Sequence, residues 1–373
     1  MKPTLSHIVF CLDYYLPYQW WAEKVFGKLV EKLIADEVTV SIITTKHTQT
    51  VPDKEQIWWA TIYRVWHKRT SWFFCWWRKA RKIFTWLMKQ KNQPQLIHTS
   101  TIAVPIIAWC LGKWANIPVT LTVHELFGAL WKKAYPRSHR LYRWYEKFLC
   151  TIHFDTIVTV STFTYKSVLQ HNPSSPIERI YNGIDQKFST ISKWWVWSHD
   201  QPLKVLYFGH CWFSKWIDEY LTALPTIAEQ YPRTQFIFSL LPSKNTSRII
   251  KKLKCLQKQY TIHLHQNLPQ EKLFQQIDDC HAIIVPSLSE WFGLAAAEAS
   301  ATKKILITTQ FGALPEVVFW KVIFLDDHST QSFLNARKKL IHNSYTTIPK
   351  KIFDRSICYQ DYKTLRKNLL SKK

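Results

Sequence analysis

Glycine is the residue this sequence lacks most. There are seven in 373 residues, where average usage of about 7% would supply roughly 26. An α/β chain so poor in glycine is short of the residue that tight turns and close backbone approaches favour. Long apolar runs are missing too. None reaches the ~18 residues that a membrane-spanning helix requires, and the stretch from Ile102 to Leu111 is stopped by Gly112 and Lys113. The shorter run His7–Leu12 meets Asp13 and reads as a first strand rather than a leader. Eight cysteines stand without paired spacing, which speaks against a zinc knuckle, a thioredoxin-type motif or a disulfide framework; a reducing cytosol is the simplest reading. Acidic residues are absent between Glu55 and Glu125.

The surpluses are as informative. Tryptophan, normally the rarest residue, occurs 20 times, close to the number of glycines missing. Lysine and arginine outnumber acids by 50 to 26, a net charge of +24. A hydrophobic fraction of 47% with 20% charged residues belongs to a folded chain and excludes global disorder. The length suggests two domains.

Short β-branched runs alternate with longer amphipathic stretches, the pattern of parallel α/β domains. Strands are expected at His7–Leu12, Val38–Thr45, Thr61–Val65, Leu96–His98, Val119–Val123 and Thr156–Val160, with a helix over Ala22–Ile34. A second series follows at Val205–Phe208, Gln235–Ser239, Thr261–Leu264, Ala282–Val285 and Ile305–Thr308. Between the series, Asn182 to Pro202 has no clear period. Two tandem Rossmann-like domains are the economical reading, over residues 1–190 and 191–350, with a C-terminal helix in 351–373 that packs back on the first domain.

Ligands of open parallel sheets bind beyond the carboxyl ends of strands. After Ile283–Val285 comes Pro286-Ser-Leu-Ser-Glu290-Trp291-Phe292-Gly293-Leu294, then an alanine-rich helix carrying Glu298. The start of that helix offers backbone N–H groups and a positive dipole end, which suits a diphosphate. Taken alone, the two glutamates read more readily as a capping carboxylate and a solvated helix residue than as ligand-binding groups.

The string Pro286–Glu298 resembles the paired-glutamate signature of the family 4 (group 1) glycosyltransferases. Further segments resemble the same family in the same order: His7–Pro17, Leu121-Thr-Val-His124-Glu125, Thr159-Val-Ser161, Tyr181–Asp185, Tyr207–Trp216 and Phe311–Val318. The resemblance implies the GT-B fold, with two Rossmann-like domains facing across a cleft, and a retaining, metal-independent transfer with no cofactor. The substrate it implies is a UDP- or GDP-linked hexose donor. Glu290 would bond the donor sugar and Glu298 the ribose. The backbone of Phe292, Gly293 and Leu294 would hold the diphosphate with Lys215 and His210. His124 would stand near the transferred sugar, so that His124, Glu290 and Lys215 form the catalytic set. The first domain would bind a lipid-linked or polysaccharide acceptor of cell-envelope glycan assembly. Two departures stand out: the family usually has arginine where His210 stands, and Leu240-Leu241-Pro242 replaces small residues near the base.

A third departure is systematic. Trp20, Trp21, Trp216 and Trp291 occupy positions where the family has glycine, Trp320 follows the closing loop in the same way, and Trp212 joins the set. A gene whose UGA codons mean glycine, translated with a code in which UGA means tryptophan, would produce this deficit and surplus together. Taken literally, indoles would fill the phosphate loop and leave a non-catalytic nucleotide-sugar-binding protein. A nucleotide-sugar epimerase of the same fold is a further alternative, and so is a glycogen- or sucrose-type synthase, against which the short first domain without long insertions argues. The charge has its own reading. Arg78–Lys89 forms a basic amphipathic pattern that suits an anionic membrane surface, or else a sheet-packing helix with a soluble outer face. No nucleic-acid motif accompanies the charge, so the expectation is a cytoplasmic protein, peripheral on the inner face of the cell membrane, without a nucleic-acid partner.

Overall fold

Strands buried on both faces organise the protein. The computed structural model describes residues 6–17, 21–57, 60–65, 72–100, 103–171, 173–191, 201–243 and 245–371. The chain divides into two units, Met1–Gly183 with Ser356–Lys373, and Ile184–Arg355. The sequence suggests a boundary at residue 190; the contacts divide at Gly183.

The first unit runs β1 (His7–Leu12), α1 (Trp21–Ala35), β2 (Thr39–Thr45), β3 (Lys54–Ile57), β4 (Ala60–Val65), α2 (Trp72–Leu87) and β5 (Leu96–Ser100). It continues through α3 (Pro105–Ala115), β6 (Val119–Val123), α4 (Trp131–Ala134), α5 (His139–Thr151), β7 (Thr156–Thr159), α6 (Thr162–Leu169) and β8 (Ile177–Arg179). The sheet order is β3-β4-β2-β1-β5-β6-β7-β8, parallel except for the β3–β4 hairpin. β1 is buried along its whole length, as a central parallel strand covered by helices should be. α6 starts where the Ser161 side chain accepts a bond from Thr164 N, an N-cap of the usual kind.

The second unit contains α7 (Lys187–Thr190), β9 (Leu203–His210), α8 (Ile217–Gln230), β10 (Thr234–Leu241), α9 (Thr246–Leu256), β11 (Ile262–Gln266), α10 (Gln270–Asp279) and β12 (Ala282–Val285). It ends with α11 (Leu294–Ala301), β13 (Ile305–Thr308), α12 (Leu314–Val317), β14 (Trp320–Phe324), α13 (Thr330–Ile341) and β15 (Thr346–Ile348). Its order is β11-β10-β9-β12-β13-β14-β15, with β15 alone antiparallel to its neighbour.

The last helix, α14 (Arg355–Ser371), returns to the first unit. Tyr359, Tyr362, Leu365 and Leu369 join Phe10, Phe26 and Leu33 in one core cluster, and Tyr359 and Lys363 both reach Asp36. α2 buries Trp76, Ala80, Phe84 and Leu87, a three-to-four-residue stripe spent on the core. Arg78, Lys79, Arg81 and Lys82 lie outside. The apolar side of the Arg78–Lys89 pattern is therefore occupied by protein.

Candidate active site

A doubly wound sheet opens a crevice where successive connections leave toward opposite edges. In the second unit β9 connects toward β10, while β11 connects back to β12 on the other side of β9. The switch point therefore lies at the carboxyl ends of β9 and β12. β9 ends in Gly209, at φ +133, and His210; a short 3-10 turn, Phe213–Lys215, follows. β12 ends before the Pro286–Gly293 segment that leads into α11. Leu288 N donates to Ser214 O at 2.7 Å, fastening one connection to the other.

That fastening brings Lys215 and Glu290, 75 residues apart, into an ion pair. Glu290 is buried, and Ser287 Oγ donates to its Oε1 at 2.7 Å. Thr309 Oγ1 in turn donates to Ser287 O at 2.5 Å. The carboxylate is thus fixed by a hydroxyl and an ammonium, and a buried charge requires that kind of partner. Its backbone is fixed too, since Ala313 N donates to Glu290 O at 2.8 Å. Gly312, at φ +65, lies so close that a Cβ would stand 2.3 Å from Glu290 O. No side chain fits there, which gives this glycine a physical reason.

Gly293 caps α11 at φ +88. The first intrahelical donor is Ala296, bonded to Gly293 O at 3.0 Å. Leu294 and Ala295 precede it, in the turn where helical N–H groups are available to an anion. Glu298 is half-buried one turn beyond Leu294, on the same helical face. His210 Nδ1 lies 3.2 Å from Pro242 O. The second unit therefore gathers Lys215 with Glu290, and carries Phe292, Gly293, Leu294 and Glu298 on the segment that follows. The sequence reading did not single out Ser287, Thr309 or the seat of Gly312 against Glu290. Only Ser287, three residues before Glu290, had a signal in its spacing.

Tryptophan crowds the same loops. Trp216, directly after Lys215, is buried with φ 46 and ψ 31. Its ring lies 3.8 Å from that of His328 and 5.6 Å from that of Phe311, centroid to centroid. Trp320 has φ 73. The left-handed region costs an ordinary L-residue roughly 1–2 kcal/mol, so these backbones suit glycine. Among the described residues, Trp216 and Trp320 alone of the tryptophans have this geometry. Trp291 is buried without it. Trp21 opens α1, and Trp20 lies outside the described residues.

In the first unit His124 follows β6 and is buried, its ring edge-on to Phe26 at 5.2 Å. Burial pushes its imidazole down to about 3, so it is neutral at ordinary pH. His98, stacked on Phe10 at 5.2 Å, is pushed well down by burial and then by Arg366 and His124. Asp13, after β1, accepts from Ala103 N at 3.0 and 3.1 Å. It ties together the carboxyl ends of β1 and β5, the switch point of this sheet. Among the described residues no three His, Cys, Asp or Glu side chains are grouped as for a metal ion.

Two parallel-sheet units with a polar cluster at the switch point of the second define a two-domain α/β protein of the GT-B type. A family model described as Glycosyltransferase Family 4 matches residues 22–188, and one described as Glycosyl transferases group 1 matches residues 195–352. The chain belongs to the group 1 glycosyltransferases. A glycogen synthase of Mycobacterium tuberculosis is 22% identical over 249 residues, covering 61% of this chain and 54% of that protein; the chain spans about half the length of the curated relatives it matches. A sucrose-phosphate synthase from Thermosynechococcus elongatus has a similar structure, with a TM-score of 0.80 at 18% identity over 99% of this chain and 100% of that one. An Anabaena protein solved with UDP and glucose gives a TM-score of 0.66 at 12% identity, covering 98% and 97% of the two chains.

Proposed function

We propose that the protein transfers a hexose from a nucleotide-diphosphate sugar to an acceptor hydroxyl with retention of configuration, without a metal ion. The observation that carries this reading is the Lys215–Glu290 pair at the β9/β12 switch point, beside the start of α11. Glu290, held by Ser287, bonds hydroxyls of the donor sugar. The α11 N-terminus at Phe292–Leu294, with Lys215 and His210, receives the diphosphate, and Glu298 takes the ribose. The glycosidic bond to phosphate breaks while the acceptor oxygen bonds to the anomeric carbon, and the acceptor proton passes to the departing phosphate oxygen. Negative charge grows on that phosphate, where fixed N–H groups and an ammonium act most strongly. His124, neutral because it is buried, serves as an uncharged hydrogen-bonding group near the transferred sugar.

The Anabaena neighbour solved with UDP and glucose supports a UDP-linked donor. The acceptor is proposed to be a lipid-linked or polysaccharide glycan, with the protein in the cytoplasm at the membrane's inner face. The similar proteins are named a sucrose-phosphate synthase and a glycogen synthase, so an acceptor panel must include sugar phosphates and glucans beside lipid-linked glycans. Donor turnover is measured with Glu290→Gln and Lys215→Ala variants. Each is expected to fall at least about a hundredfold with the unfolding temperature little changed. Turnover that survives Glu290→Gln would falsify the assignment.

The second reading is a binding protein without turnover. It is favoured by Trp216, whose ring packs on His328 and Phe311 beside the phosphate loop. The two readings separate on the Trp216→Gly variant: turnover appearing only with glycine assigns the block to the indole.

A further inference from the structure

The helices of the first unit are unequal in what they expose. α5 buries Glu146, Leu149 and Cys150 and turns the opposite side outward, where Leu141, Trp144 and Phe148 are 64%, 60% and 40% exposed. Their i, i+3, i+7 spacing makes one apolar stripe. The rings of Trp144 and Phe148 lie parallel, 5.4 Å apart. Arg140, Arg143 and Lys147, all exposed, flank the stripe on one side. A helix that has already satisfied the core and still presents a stacked apolar ridge beside cations has surface left for something else.

The neighbouring helices agree with it. The crossovers β4–α2–β5, β5–α3–β6 and β6–α5–β7 all run in one direction along the sheet, and β1–α1–β2 runs in the other. Parallel crossovers are right-handed in nearly all cases, so α2, α3 and α5 lie on one face and α1 on the other. The first face also exposes Trp86 on α2 and Trp114 on α3, at 46% and 53%. Its only helical acid is Glu146, which is buried and accepts from Phe127 N and Gly128 N. On α1 and α14 charges are matched instead, as in Lys28–Glu31 and Lys363–Asp36.

We propose that the α2–α3–α5 face docks on an anionic phospholipid bilayer, with Leu141, Trp144 and Phe148 entering the interface and Arg140, Arg143 and Lys147 meeting the headgroups. The partner is read from charge complementarity and from the apolar ridge together. Cations alone would suit any polyanion, whereas a stacked Trp–Phe ridge beside them suits a headgroup–acyl boundary. α2, whose apolar stripe is buried, contributes charge and not insertion. The proposal deepens the lipid-linked acceptor reading and rests on it for its purpose, but its test does not depend on donor chemistry.

The full chain is sedimented with phosphatidylcholine vesicles, with and without one third phosphatidylglycerol. Binding is expected only with phosphatidylglycerol, and it should weaken with salt because headgroup charge is screened. The Leu141→Gln/Phe148→Gln variant should bind at least tenfold more weakly while its unfolding temperature and any donor turnover without vesicles stay unchanged. Quenching of tryptophan emission by brominated lipid should be smaller in Trp144→Phe. Equal binding by the double variant, no binding to phosphatidylglycerol vesicles, or retention on single-stranded RNA in place of vesicles overturns the proposal. If vesicle binding holds while Glu290→Gln leaves turnover intact, the site assignment fails and the docking surface stands.

Discussion

The two units share an architecture and differ in where their polar groups are spent. In the second unit the specific contacts converge on one point. Ser287, Lys215, Ala313 and Gly312 all hold Glu290. In the first unit the buried polar groups are dispersed through the core. His98, His124 and Arg366 lie among Phe10, Phe26 and Tyr362, while most of the chain's net charge is carried outside. The same fold is thus a rigid frame for a carboxylate in one unit and a charged surface over a titratable core in the other. The difference shows that fold type alone does not say what a Rossmann-like unit does.

The largest test of that contrast is removal of α14. Tyr362 and Arg366 are 1% and 2% exposed, and α14 shares its core cluster with α1 and β1. A chain ending at residue 354 should lose cooperative folding in the first unit while the second keeps its protease-resistant core. Simultaneous loss of both in limited proteolysis would show that the units do not fold as separate bodies.

Acid should divide the units next. A histidine held neutral in the fold takes up its proton more readily when unfolded. The stability it contributes is therefore complete above the unfolded value near 6.5 and is lost as pH falls toward the folded value. For His124 that window runs from 6.5 to about 3, and His98 moves in the same direction. At roughly 1.4 kcal/mol per unit, His124 alone is worth on the order of 4 kcal/mol. The second unit has His281, pushed down to about 4 by burial and then by Lys204 and Lys304. Hydrogen exchange at pH 4.5 should therefore show the first unit opening before the second; the reverse order would refute this distribution of titratable burial.

Much of this was legible in the residues. The central strands appear as unbroken apolar runs, and the β9 and β12 loops carry motifs whose order gave the fold. β8 and β14 were not expected as strands, and β3 and β15 were not legible. The latter two are four and three residues long, half-exposed and polar, so neither alternation nor an apolar run marks them. The periodicity of α2 shows an apolar stripe but not what covers it, and the same limit hid the outward stripe of α5. The pairing of Lys215 with Glu290 has no local signal at a separation of 75 residues; it follows from β9 and β12 being adjacent in the sheet.

Tryptophan gives the finest comparison, because its effect should change sign between the units. Trp131 lies on α4 in ordinary helical geometry, 4% exposed, stacked on Tyr142 at 4.6 Å and edge-on to Phe127 at 4.9 Å. Trp131→Gly should cost about 3 kcal/mol or more, as removal of a buried aromatic does, read as a lowered urea midpoint. Trp216 is also buried, yet its backbone is left-handed. Trp216→Gly regains roughly 1 kcal/mol of backbone strain and sacrifices the packing on His328 and Phe311. If position 216 is natively glycine, the loop is shaped for the smaller residue, and the substitution should leave stability level or up to about 1 kcal/mol higher. A loss as large as that at Trp131 would mean that the indole at 216 belongs to the fold and that the glycine deficit is a property of the protein. The mass of the natural peptide spanning Trp216 decides the same point chemically, since glycine and tryptophan cannot be confused there.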